Sequence, residues 1–185
     1  MWILILIIIA VFAWAIAAFN VLVSLRNRSR NAWADIDVQL KRRHDLVPNL
    51  VATVQGYASH EKSTLEDIAN LRTKAMSLQK VEDLDGAESN LAGAIKSLFA
   101  VAESYPNLRA DENFRQLQAQ LAEIENNIQY ARRYYNAVVR DMNTRREVFP
   151  SSIVAGAFGF EKLPYFQAED DERNPVDARF DGTAK

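Results

Sequence analysis

The sequence predicts an all-α fold, in which an N-terminal transmembrane helix continues into an elongated antiparallel up-and-down bundle of three to four long helices. Three observations predict it. The first 25 of the 185 residues carry no charge. Beyond them apolar residues recur at alternating three- and four-residue intervals, the spacing of one helix face. Strand signals, in the form of repeated alternating runs bounded by turn residues, are absent.

From Trp2 to Val23 the chain runs WILILIIIAVFAWAIAAFNVLV, with Asn20 its only amide. A bilayer core takes about 20 apolar residues in a helix. Lipid offers the backbone no hydrogen-bond partners, so a helix is the expected form. A buried core helix is rarely apolar on every face for this length. A cleaved signal peptide is the stronger rival, with Ala15-Ile16-Ala17 as its small-residue site. Such peptides carry basic residues ahead of the apolar stretch, however, and here they follow it. Residues 1–25 are therefore expected to be a retained anchor. Arg26, Arg28 and Arg30 form a candidate membrane-surface belt for anionic lipid headgroups. Basic flanks tend to stay cytoplasmic, which predicts a single-pass inner-membrane protein with its N-terminus outside and the bundle in the cytoplasm.

Residues 26–150 are expected to form the bundle. Trp33, Ile36 and Leu40 carry the first helix into water towards Val47, where Pro48 kinks or ends it and Asp45 is available to cap a restart. Leu50, Val51, Val54, Ala58, Leu65, Ile68, Ala75 and Leu78 mark a second run. The polar stretch from Gln79 to Glu88, with Asp83, Asp85 and Gly86, is expected to be a turn. Leu91, Ile95, Leu98, Ala102 and Tyr105 mark a third helix ending at Pro106. The clearest seam is Phe114, Leu117, Leu121, Ile124, Ile128, Ala131, Tyr135, Val138 and Met142, a heptad pattern without a slip. That helix is expected to start near the N-cap Asp111, to stop before Phe149-Pro150 and to be ~55 Å long.

Residues 151–166 change character. Their aromatic residues Phe158, Phe160, Tyr165 and Phe166 are candidate contacts with a neighbouring copy or the membrane, and packing against their own bundle stands as an equal alternative. Residues 167–185, with Glu169, Asp170, Asp171 and Glu172, are acidic and poor in apolar residues, so disorder is expected there.

Little in the sequence suggests chemistry. There is no cysteine, which removes disulfides and thiolate chemistry together. His44 and His60 have neither Glu-x-x-His nor His-Glu-x-x-His spacing and are expected on helix surfaces or near a turn. No phosphate loop, dinucleotide fingerprint or serine elbow occurs. No catalytic residue, metal or cofactor is therefore expected. Tyr130, Tyr134 and Tyr135 beside Arg132 and Arg133 superficially suggest nucleic acid, but a net charge of -2 gives no support and no nucleic-acid partner is expected. Polar residues do line the helices beside the seams, as Arg42, Arg43, Asp45, Glu61 and Glu103 do. On the long helix Glu125, Asn126, Arg132 and Asn136 are a candidate polar layer fixing bundle register, against the plainer reading of a solvated face. Asn143 lines the same helix.

Two stretches resemble the LemA family. Trp33–Glu61, WADIDVQLKRRHDLVPNLVATVQGYASHE, is similar to a pattern built on LKRR-x-DLIPNLV followed by GYA-x-HE, with Val47 in place of isoleucine. Ala102–Pro150 contains AESYPNLRADENFRQL, then Glu125-x-x-Ile128-x-x-Ala131-Arg132, Tyr135-Asn136 and Phe149-Pro150. Arg109 stands where lysine is more familiar, Ile124 where threonine is common, and Met142-Asn143 where a second Tyr-Asn is common. The resemblance implies a bacterial, membrane-anchored antiparallel helical bundle, and it implies no enzymatic activity. The expected function is a non-enzymatic scaffold that contacts membrane lipids, forms a homo-oligomer and organises the bilayer surface or a protein partner, with shaping of the bilayer as a further expectation. The alternative is a membrane-bound signalling adaptor relaying to a cytoplasmic partner.

Overall fold

The computed structural model describes residues 1–58, 60–78 and 81–166, and the expectation for residues 167–185 lies outside them. Among the described residues it contains six helices and no strand.

Helix α1, Trp2–Tyr57, is unbroken for 56 residues, or about 84 Å at 1.5 Å per residue. Its start is apolar on every face, and the large side chains from Trp2 to Phe12 point outward with no protein against them. From Leu22 onward one edge turns inward, through Ala32, Ile36, Leu40, Arg43, Val47, Leu50 and Val54, all buried. Pro48 does not end the helix, and Asp45 lies inside it rather than capping a restart. Proline lacks the N–H that would bond the carbonyl of residue 44. Here the Arg72 Nε donates to that His44 oxygen at 2.7 Å, so a second helix closes the gap that proline opens.

The kink or end expected at Pro48 is not found, and α1 ends instead at Tyr57. Beyond it α2, Lys62–Ser77, runs back along α1. Helix α3, Val81–Ala102, already includes Leu84 and Gly86, so most of the expected polar turn is helical. The chain leaves helical geometry before Pro106, which opens the short α4, Pro106–Ala110, at a position where its missing N–H costs nothing. Asp111 then caps α5, Glu112–Glu147, by accepting the Phe114 N–H at 2.9 Å, and α5 is 36 residues long. Helix α6, Ser151–Ala157, follows.

Helix α5 lies antiparallel along α1 for its whole length. Phe114 and Leu121 meet Val47–Val54 at the far end, Ile128 and Tyr135 meet Ala32–Leu40 in the middle, and Met142 meets Leu22 at the base. Each fully buried leucine or isoleucine of this seam contributes about 1.5–3 kcal/mol. Helices α2 and α3 complete the up-down-up-down bundle only over its far half. Nearer the apolar end of α1 they are absent, and the extended segment 160–166 packs on α1 and α5 instead.

Candidate functional site

The far half of the bundle is built around a buried ionic knot. Arg43 and Glu88 both occupy seam positions where their neighbours are leucine, isoleucine or valine. Arg43 follows Ile36 and Leu40 and precedes Val47; Glu88 follows Leu84 and precedes Leu91. Glu88 is 0% exposed and Arg43 2%. The Arg43 guanidinium donates to Glu88 Oε2 at 3.4 Å, to the Glu88 carbonyl at 3.3 Å and to Glu125 Oε2 at 2.5 Å. His44 Nε2 meets Glu88 Oε1 at 2.7 Å. One arginine thus ties α1 to α3 and α5. Such a knot adds little net stability, because desolvation offsets the attraction, whereas removing one partner leaves a buried charge uncompensated. His44 is therefore buried, not on the surface as its spacing suggested. Glu88, hidden in an apparent turn, was not a sequence candidate. The signal available was a charge on an otherwise apolar heptad seam.

A second set of polar contacts runs down α5. Arg132 faces Asp85 at 4.0 Å and lies over the Phe166 ring, 4.4 Å from its centroid. Asn136 Nδ2 donates to the Phe166 carbonyl at 2.7 Å and its Oδ1 accepts the Phe166 N–H at 2.9 Å. Asn143 repeats this with Leu163, at 3.0 and 2.9 Å. The Tyr135 hydroxyl and Arg146 Nε donate to the carbonyls of Pro164 and Phe160. The spacing works because seven helical residues rise ~10.5 Å and three extended residues ~10 Å. Two asparagines one heptad apart on α5 therefore act as a strand edge for residues 163 and 166. Of the four polar-layer candidates, Glu125, Arg132 and Asn136 point into these networks, whereas Asn126 lies on the exposed face.

The aromatic candidates divide. Phe160 and Phe166 are buried in the protein's own core, Phe166 beside Trp33 and Phe160 beside Phe19, while Phe158 is 64% exposed and Tyr165 is also exposed. In the belt, Arg28 and Arg30 are exposed, and Arg26 is half-buried with its guanidinium 5.2 Å from the Phe160 centroid.

On the far half, α3 and α5 leave an open groove of about 540 Å³. Ile95, Phe99 and Leu121 line it, with Lys96 and Glu125 also on its walls and Arg43 within reach. At the tip, Asp111 is held below the usual carboxylate range, first by the Phe114 N–H and then by the Tyr57 hydroxyl that donates to it. The Tyr105 hydroxyl, donating to Glu61, is raised above the usual phenol range chiefly by that hydrogen bond. These bonds tie the tip loops together; among the described residues no group of three or more His, Asp or Glu side chains is placed to hold a metal ion.

Three curated proteins and one family pattern are similar to this chain. Magnetosome protein MamQ 2 of Paramagnetospirillum magneticum is 24% identical over 195 aligned positions, covering 91% of this chain and 72% of that protein. Protein LemA of Metamycoplasma hominis is 26% identical over 162 positions, covering 85% and 73% respectively. The magnetosome protein MamQ of Magnetospirillum gryphiswaldense is 20% identical over the same shares as the first. The sequence pattern of the LemA family matches residues 32–180, from the first buried turn of the bundle past its last described residue. The chain therefore belongs to the LemA family.

Proposed function

We propose that this protein is a non-enzymatic, membrane-anchored helical scaffold that self-associates and organises the membrane surface or partner proteins. The observation that carries this reading is the continuity of α1. One helix is apolar over residues 2–25, with residues 2–14 uncovered, and becomes the spine of the bundle without a break. A bilayer is the solvent that such a start requires. The relatives' names, LemA and magnetosome protein MamQ, denote no reaction, which favours a structural role. In this reading the span sits in the inner membrane with the N-terminus outside, and the arginines after Leu25 hold the bundle in the cytoplasm. Tethering raises the effective concentration of each copy for the others, so weak lateral contacts suffice for assembly.

Two measurements test this. Protease treatment of spheroplasts leaves the bundle intact in the proposed orientation and digests it in the reverse one. Mass measurement of detergent-extracted protein over a range of concentrations gives oligomers, and a strict monomer throughout removes the self-association. The groove between α3 and α5 favours a second reading, an adaptor that seats a cytoplasmic partner there. Crosslinking that traps one stoichiometric partner would place that reading ahead of the scaffold.

A further inference from the structure

The base of the bundle has an apolar surface that the scaffold reading leaves unused. Residues 148–160 carry no charge. Within them Val154, Ala155 and Phe160 turn inward on Leu22 and Met142. Val148, Phe149, Ile153 and Phe158 turn outward and are between 52% and 76% exposed. Four large apolar side chains on so short a segment are not how a protein ordinarily meets water.

The level of this surface along α1 says what covers it. Helix α6 packs beside Ala15, Ala18, Phe19 and Val23, within the charge-free run, and the Phe158 ring centroid is 4.7 Å from that of Phe19. Phe19 precedes Arg26 by seven residues, about 10 Å along the helix. Charge gathers on the other side of the same level. Residues 24–30 and 140–141 hold four arginines and one carboxylate, a cationic band suited to anionic headgroups, while Arg145, Arg146 and Glu147 lie lower, about level with Phe19. Apolar side chains about 5–10 Å below such a band are the arrangement of an interfacial membrane element.

We propose that Val148–Phe160 is a second membrane contact, a wedge whose outward side chains lie among the acyl chains of the leaflet nearest the bundle. The inference rests on reading residues 2–25 as a bilayer span. The protein then enters its membrane twice, once as a rod and once as a short returning segment held to that rod by Phe19 and Leu22. A wedge in one leaflet widens that leaflet alone.

The test uses the full chain, which has no cysteine to remove. Ile153→Cys, Ile9→Cys and Glu123→Cys are each spin-labelled and reconstituted in vesicles of phosphatidylcholine and phosphatidylglycerol. All three positions are exposed, so the label displaces no core side chain. Accessibility to oxygen, which concentrates in lipid, is compared with accessibility to a water-soluble nickel chelate. The expected result is an oxygen-to-nickel ratio at Ile153 shifted from the Glu123 value towards the Ile9 value. A water-like ratio at Ile153 with a lipid-like one at Ile9 overturns the wedge and leaves the span. Water-like ratios at both overturn the span and the wedge with it. If the Ile153 label is shielded from both reagents and its spectrum sharpens on dilution with unlabelled protein, a second copy covers the surface, and the proposal is equally overturned.

Discussion

Pro48 is tolerated inside α1 because a side chain of α2 replaces the bond it cannot make, and that claim has a measurable coupling. A proline in a helix interior ordinarily costs about 3 kcal/mol. Part of that cost is the carbonyl left unbonded four residues back, here on His44, whose side chain and surroundings are buried. Arg72 donates to it at 2.7 Å. Arg72→Met keeps the aliphatic stem and removes the donor, so the carbonyl loses its partner at a cost of about 1–3 kcal/mol. For a chain of this length each kcal/mol lowers the melting midpoint by about 2–4 °C, so about 2 kcal/mol predicts a fall of about 4–8 °C. In a Pro48→Ala background the new N–H of residue 48 reaches the same oxygen. There Arg72→Met is expected to cost about 1–2 kcal/mol less, and that difference is the coupling energy. Far-UV circular dichroism of the full-length protein in detergent, for the wild type, both single variants and the double, gives the four midpoints. Equal cost of Arg72→Met in both backgrounds would refute the compensation, as would a lower midpoint for Pro48→Ala alone.

Three further outcomes are expected. Glu88→Leu leaves Arg43 with Glu125 as its remaining carboxylate and should cost about 3 kcal/mol, whereas Arg43→Met leaves the fully buried Glu88 with His44 alone and should cost nearer 5; the double variant should cost less than either, and denaturant unfolding showing simple additivity would reject this. Asn143→Ala removes both hydrogen bonds to the Leu163 backbone and should raise hydrogen exchange at the Leu163 amide by about tenfold or more, with unchanged exchange counting against the clamp. Because the Asp111 carboxyl is held below its ordinary range, its contribution is fully present above the unfolded carboxylate's pKa and is lost as pH falls through the lowered folded value. The melting difference between wild type and Asp111→Ala should therefore be largest near neutrality and shrink in acid, and a difference that grew in acid would reverse the assignment.

Helix identity was legible where a single face repeats without interruption. The α5 seam from Phe114 to Met142 and the Asp111 cap could be taken from the chain because both are local. The boundary at Pro48 could not, since the donor that keeps α1 intact comes from Arg72, on another helix. The stretch around Gly86 looked like a turn because Asp83 and Asp85 mask the seam running from Leu84 through Glu88 to Leu91. Arg43 sits in the same kind of place between Leu40 and Val47, and a charge on a heptad seam was the one local sign of the knot. Asn136 and Asn143 were visible one heptad apart, but their partners lie 20–30 residues further on in an extended segment without helical period. Long-range pairing with bare backbone leaves no periodic trace.

The absence of any joint in α1 has a mechanical consequence. From Arg26 to Tyr57 the helix extends about 48 Å beyond its charge-free part. With that part seated in lipid, leaning the rod by about 20°, an ordinary angle for a spanning helix, would swing the distal tip sideways by about 16 Å. Lean responds to hydrocarbon thickness, so in that setting the Tyr57–Asp111 end of the molecule would shift sideways with the thickness of the membrane below it.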